Sequence, residues 1–386
     1  MKPLSHISVL DLGVNVPGPF CSMTLGDLGA RVVKVEPPGG DPLRQTDPGM
    51  FTALNCGKES IALDLKTQPG REALARLAEK ADIVLEGSRP GVAARLGAGY
   101  AALSARNPRL VYCSISGFGQ TGPWRDRPAH DLNYLALSGY LGVQEAIEGR
   151  PWPPPVLVSD LASGLYAAIM VLAALQGREV SGKGAFIDLS MTESALALLG
   201  PELTRATEGP YAERHPNVSG IPTYGLFRCG DGRWLSLGIV HEDHFWDRLC
   251  DAGGLPDLKS LPFADRMARR DEVRSRLEFA FLAASAAEWE KRLLEADVPA
   301  AAVVGLADVL DSPQFKARDA FVESGGHRYL AQPARFSTGS VAREGKPPTL
   351  GQHADMLLSS LGYSAAQIRE MRSAGVVGRP EAIQSS

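Results

Sequence analysis

Residues 6–36 read HISVLDLGVNVPGPFCSMTLGDLGARVVKVE, and this stretch decides the fold. Residues 6–11 are a short apolar run that reads as a strand. Residues 19–28 follow as a helix with Pro19 in its first turn, where a missing N–H leaves no hydrogen bond unmade. Residues 31–35 form a second strand. A strand, a helix and a strand in so short a span imply parallel pairing with a right-handed crossover. The rhythm continues with a helix over 68–80, whose apolar face carries Leu74, Leu77 and Ala78, and with strands over 83–85, 110–115 and 185–189. The fold class is therefore α/β.

Further on, residues 130–141 read as a helix and 151–155 as a proline-rich loop. Asp160 opens a strongly apolar helix through Leu175 that stops near Gly177. The character changes after residue 222. Two short strands, 224–228 and 234–239, flank Gly230-Asp231-Gly232, a hairpin signal, and charged helices follow over 263–283 and 287–295. The expected organisation is a large domain over 1–200, a linker over 201–221 and a smaller α+β domain over 222–315. Residues 316–386 then return to pack on the large domain.

The 386 residues are 44% hydrophobic and 22% charged, a globular profile long enough for two or three domains of about 100–200 residues. The net charge of −4 argues against a broad nucleic-acid surface, which needs a basic excess. It leaves room for a small basic pocket around one phosphorylated ligand. The longest apolar run, 165–175, covers 11 residues against the about 20 that a membrane span needs, so no membrane partner is expected. The opening residues lack the apolar core of a signal peptide. Cys21, Cys56, Cys113, Cys229 and Cys250 form no CxxC and are odd in number, which fits reduced thiols in a cytoplasmic protein better than a disulfide framework or zinc site.

Several constellations carry chemistry, each beside a plainer alternative. Residues 117–122 match GxGxxG after a strand, but Pro123 and the Trp-Arg-Asp-Arg-Pro run oppose a helix opening there. A tight or substrate-lining loop fits better than a dinucleotide fingerprint. In His241-Glu242-Asp243-His244, an HExxH site would need His at 245, where Phe245 stands. The two His can line a site, or the run is a solvated helix start. His130 with Asp131 is either a helix start or a general acid or base. Asp160 is either a first-turn aspartate or a carboxylate that the helix N-terminus keeps ionised for proton abstraction or nucleophilic attack. Arg89, Arg95 and Lys58 are either surface charge or ligand contacts near strand ends.

Read together, these segments resemble the CoA-transferase family III (CaiB/BaiF) superfamily, and within it the alpha-methylacyl-CoA racemases. The resemblance rests on VLDL at 9–12, PGPFCSM at 17–23, LGDLGARVVKVEPPGG at 25–40 and SIALDLK at 60–66. It continues through EGSRPGVAARLG at 86–97, NPRLVY at 107–112, SGFGQTGP at 116–123, HDLNYLALSG at 130–139, SDLASG at 159–164, GKGAFIDLSMTE at 182–193 and LGQHA at 350–354. It implies a Rossmann-like large domain, a smaller α+β domain and an interlocked homodimer acting on an acyl-CoA thioester. No further cofactor is required, because coenzyme A arrives as part of the substrate. In the racemases a His and an Asp flank the substrate alpha carbon, and His130 and Asp160 match them. In the CoA-transferases the Asp at the Asp160 position is the nucleophile that forms an aspartyl-CoA thioester, and the position of His130 is usually not His. His130 thus favours racemisation.

Two departures accompany the match. Many relatives carry Arg after the acidic residue closing the second strand, whereas Glu36 is followed here by Pro37. Arg89 and Arg95 match other basic positions, and Arg95 in RLG is the better candidate for the CoA phosphates, with Lys58 beside them. The racemases also pair their His with a Glu in a GAIEPQFY-like segment. Residues 238–246 read GIVHEDHFW, one residue longer, and Glu242 is the nearest candidate. Backbone N–H groups beside Asp160 are the expected donors to an enolate oxygen. Pocket walls are expected from 13–20, 140–160 and 215–245.

Overall fold

The computed structural model describes residues 2–207, 220–337, 341 and 344–378. The chain divides into two compact units. One holds the residues up to 141, 153–200 and those from 316 onward; the other holds 142–152 and 201–315. The expected linker falls largely on 208–219, outside the described residues.

The first unit is built on six parallel strands: β1 (Ser8–Asp11), β2 (Arg31–Glu36), β3 (Glu59–Ala62), β4 (Ile83–Glu86), β5 (Val111–Ser116) and β6 (Phe186–Ser190). Their order is β3-β2-β1-β4-β5-β6. Alternate residues bury opposite faces, as the period-2 geometry of a strand requires. Leu10, Val33, Ile61, Val84 and Tyr112 meet Leu74, Leu77 and Ala78 of helix α1 (Gln68–Glu79) on one side. Val9, Val32, Ile83, Leu85, Val111 and Cys113 meet Cys21 and Leu25 on the other, with Ala167, Ala168 and Val171. Both faces of the sheet are thus covered, as parallel sheets need.

Cys21 and Leu25 belong to the helix Pro17–Asp27. The helix expected over 130–141 is two, α2 (Asp131–Leu137) and a second over Tyr140–Glu148. They part at Gly139, whose φ of +87° no regular helix holds. The apolar helix, α3, runs over Val158–Ser181. It starts two residues before Asp160 and passes through Gly177 to stop at Gly182, which is left-handed with φ +71°. By length and composition α3 is apolar enough to cross a membrane, because its small and polar residues interrupt the apolar run without breaking the helix. Ala162, Ala167, Ala168, Val171 and Leu175 bury one side of it in the core. Leu165, Ile169 and Met170 stand exposed on the other.

The residues from 349 to 378 pack along β3. His353 N–H donates to Ser60 O at 2.9 Å and accepts from Ser60 N–H through Nδ1 at 3.0 Å, and Gly378 N–H donates to Ala62 O at 3.0 Å. A hairpin of Phe321–Ser324 and His327–Leu330, which the sequence reading lacked, precedes them.

The second unit holds the expected hairpin, β7 (Tyr224–Arg228) with β8 (Trp234–Gly238), extended by β9 (Ala300–Ala302). Phe227, Leu235, Leu237, Trp246, Leu277 and Trp289 form its core. The helix expected over 263–283 is broken at Arg269 into Phe263–Ala268 and Arg270–Phe281. All five cysteines are buried, and none forms a disulfide.

Candidate functional site

The strand order reverses between β1 and β4. In open parallel sheets that reversal leaves a crevice beyond the carboxyl ends of the strands. A cavity of about 680 Å³ opens there, within the first unit. Its walls are the loops leaving β1 (14–17), β4 (87–90) and β5 (115–118), together with His130, Asp131, Asn133, Tyr134, Leu157 and Asp160. Apolar surface comes from Val16, Leu43, Met50, Phe118 and Met191. Of the expected walls, 14–17, 157 and 160 line this cavity; residues 220–245 belong to the second unit.

His130 stands at the N-cap of α2 in extended conformation, with φ −130° and ψ 178°. Its N–H donates to Asn133 Oδ1 at 3.0 Å, so the backbone that carries the imidazole is fixed. The side chain is exposed at the cavity. Asp160, half-buried, lies in the first turn of α3.

Between them stands Asp131, in the first turn of α2. Asp131 Oδ1 accepts from Ser159 N–H at 2.7 Å and from Asp160 N–H at 3.1 Å. A side chain at the start of one helix thus caps the start of another. Two expectations are corrected by this contact. The N–H groups beside Asp160 are already engaged, so they are not free to serve an enolate. The helix N-terminus also fails to keep Asp160 ionised: burial, and then the Asp131 carboxyl, raise Asp160 to about 7. Burial raises Asp131 too, opposed by the same two backbone donors. Asp160 is therefore poised to gain or lose a proton near neutrality.

The 117–122 loop packs as a close turn rather than opening a helix. Gly117 O accepts from Thr192 N–H at 3.0 Å and Thr192 Oγ1 at 2.8 Å. A Cβ on Gly117 would stand 2.7 Å from the Tyr134 ring, so only glycine admits that ring. The Tyr134 phenol is pushed up by burial and by Asp160, against the opposing pull of Arg89. Arg89 therefore lies within electrostatic reach of the Tyr134 phenol.

The basic residues separate into two groups. Arg89 lines the cavity, and its guanidinium has no ion-pair partner among the described residues. Arg95 closes the short helix Val92–Arg95 and does not line the cavity. Its guanidinium and that of Arg125 converge over Gly91, where a Cβ would lie 3.4 Å from Arg95 Nη1 and 3.7 Å from Arg125 Nη2. Arg125 and Arg127 line the cavity and were missed in the sequence, where they sit in a run read only as a helix breaker.

Lys58 is placed differently from the sequence reading. It is buried, and Nζ meets Asp11 Oδ2 at 3.0 Å, Ser22 Oγ at 2.7 Å, Asn55 Oδ1 at 2.9 Å and Pro19 O at 3.1 Å. An ammonium has three N–H donors, and these four acceptors fully occupy them. Lys58 is thus engaged inside the fold, not in the cavity.

Glu242 stands at the N-cap of the helix Asp243–Gly253 in the second unit. Its carboxylate accepts from Val240 N–H at 2.9 Å, and backbone N–H groups hold it below its ordinary value. His241 and His244 are exposed beside it.

A family model described as CoA-transferase family III matches residues 4–354. An acetyl-CoA:oxalate CoA-transferase of Acetobacter aceti is 37% identical over 356 residues, 87% of this chain and 89% of that one. The alpha-methylacyl-CoA racemase of Homo sapiens is 33% identical over 383 residues, 97% of each chain. The crystal structure of a CAIB/BAIF family protein from Brucella suis superposes with a TM-score of 0.84 at 30% identity, over 93% of this chain and 99% of that one.

Proposed function

The chain belongs to CoA-transferase family III, and from that premise we propose that it racemises or epimerises the alpha carbon of a 2-methylacyl-CoA thioester by two-base proton transfer. The observation that carries this reading is the shared cavity of His130 and Asp160, with Asp160 held near neutrality. Inversion needs one group to take the alpha proton and another to return a proton to the opposite face. A carboxyl at about 7 serves in either direction at neutral pH, and a histidine is its natural counterpart. The thioester carbonyl accepts the charge of the carbanion as an enolate, which a donor at that oxygen stabilises.

Arg89, and Arg95 with Arg125 over Gly91, are assigned to the CoA phosphates. The sheet is read as Rossmann-like, with its ligand at the strand-order reversal. Glu242 is proposed to orient His130, with a second copy of the chain completing the pocket as an interlocked homodimer. The exposed apolar side of α3 supports that assembly, since such surface is otherwise left in water.

A second reading is CoA transfer between acids. It is favoured by the cavity-facing Asp160 and by the identity to the oxalate transferase. Asp160 would attack the donor thioester carbon and expel CoA thiolate, giving a mixed anhydride. The thiolate would then attack the aspartyl carbonyl, releasing the donor acid and leaving an aspartyl-CoA thioester.

The deciding experiment incubates a single enantiomer of a 2-methylacyl-CoA in deuterated water with no acceptor acid. Deuterium at the alpha carbon, lost in His130→Ala and Asp160→Asn, is the expected result. Absence of exchange, with a hydroxylamine-trapped adduct at Asp160, would establish transfer instead.

A further inference from the structure

The loop that leaves β1 for the helix Pro17–Asp27 carries a residue in a backbone conformation that few side chains adopt. Asn15 has φ +60°, in the left-handed region where Asn is among the better-tolerated residues. It lines the cavity and is exposed. Its carboxamide has no hydrogen-bond partner among the described residues, although its own N–H donates to Asp41 Oδ1 at 3.3 Å.

The conformation is imposed from below by a buried charge network. Asp11 Oδ1 accepts from Gly13 N–H at 2.9 Å. Lys34 Nζ donates to Gly13 O at 2.9 Å and pairs with Asp41 Oδ2 at 2.8 Å. Asp11, Lys34 and Asp41 are all buried. Burying such charges is costly unless every partner is in place, so this network fixes the loop backbone. Strained positions held in this way concentrate where side chains meet ligands.

The loop also lies against the start of α3. Val16 clusters with Leu161. A Cβ on Gly164 would come within 2.9 Å of Pro17 O, and Gly164 is one helical turn beyond Asp160 on the same face. Asp131 engages the N–H groups of Ser159 and Asp160. The oxygen of a thioester bound beside Asp160 therefore needs a donor from another element.

We propose that the Asn15 carboxamide supplies that donor, its Nδ2–H bonding the thioester oxygen of the bound acyl-CoA and strengthening as that oxygen becomes an enolate. The assignment rests on the acyl-CoA reading above and adds to it the group that contacts the oxygen.

The test uses Asn15→Gly and Asn15→Asp, both of which tolerate the left-handed backbone and lack the donor, with 2-methylpropanoyl-CoA carrying carbon-13 at its carbonyl. Difference infrared spectroscopy of the full-length protein should show the carbonyl band moved to lower frequency on binding, and the move reversed in both variants. The turnover number for alpha-deuterium exchange should fall about 100-fold, with KM little changed, as for loss of one oxyanion donor. A carbonyl band equally displaced in both variants and the parent would overturn the assignment. So would a parent protein that shows no bound carbonyl band, and the acyl-CoA reading would fall with it. A displaced band reversed in the variants, in a parent that exchanges no deuterium, would uphold the Asn15 contact and reject racemisation.

Discussion

Replacing Asp131 by Asn separates two effects that one carboxyl exerts on the site. Asp131 Oδ1 alone accepts both the Ser159 and Asp160 N–H groups, and a carboxamide oxygen can accept them equally. The cap is therefore kept, while the charge facing Asp160 is removed. Asp160 stands at about 7 because of burial first and Asp131 second. Burial is unchanged in the variant, so only the second part is lost. A like charge at this range is worth about one pKa unit, and each unit is about 1.4 kcal/mol. Asp160 should then titrate below the parent's value of about 7.

The folded value lies above the ordinary carboxyl value of 3.8. Below about 4 both folded and unfolded chains hold the proton, and this group's stabilising contribution is complete. As pH rises toward 7 the unfolded chain has released a proton that the folded one still holds, and stability falls. The loss is at most about 4 kcal/mol, reduced by water reaching a half-buried group. Asp131→Asn should shrink the stability difference between pH 5 and pH 8 by about 1 kcal/mol. Asp131→Ala should shrink it as well, but cost about 1 kcal/mol at every pH by freeing the two N–H groups. The measurements are carboxyl carbon-13 titration, with the Asp160 resonance assigned by its absence in Asp160→Asn, and urea unfolding at both pH values. A midpoint for Asp160 that stays or rises in Asp131→Asn would refute the reasoning.

Other substitutions test the remaining assignments. Lys58→Met leaves Asp11 buried without its cation, which should destabilise the protein by about 3–5 kcal/mol in urea unfolding. A folded, equally stable variant with weakened CoA binding would show that Lys58 contacts ligand instead. Arg89→Ala and Arg125→Ala should each weaken CoA binding by about 10-fold or more in calorimetry, with the melting temperature unchanged. Gly164→Ala places a Cβ 2.7 Å from Phe20 Cδ1 and 2.9 Å from Pro17 O. Overpacking there should cost about 1–3 kcal/mol, read as a lowered denaturation midpoint.

Local pattern made the sheet legible wherever a strand is apolar on both faces. Residues 83–86 and 111–116 are buried throughout, and such runs announce themselves. β3 does not, because its buried Ser60 uses its hydroxyl to donate to Glu36 Oε1 at 2.7 Å and to accept from Gly351 N–H at 3.0 Å. A polar residue in a strand looks like exposure until its partners are known, and one of those partners lies almost three hundred residues away. Helix ends were misplaced where glycine sat inside a pattern, since Gly177 and Gly182 differ only in the φ each adopts.

The site divides along the same line. His130 and Asp160 were legible because each sits at a helix start, a feature of local sequence. Lys58 was misread because a lysine beside a strand looks like surface charge or a ligand contact until Asp11, 47 residues earlier, is seen to claim it. Asp131 was read by its own helix, yet its consequence falls on another. By capping α3 it removes the backbone donors that sequence logic had offered to the substrate, and by its charge it changes the protonation of the residue they flank. One contact between residues 28 apart therefore bears both on the protonation of Asp160 and on the backbone donors beside it. A reading of helix starts alone therefore finds His130 and Asp160 but not the claim that Asp131 makes on the Ser159 and Asp160 N–H groups.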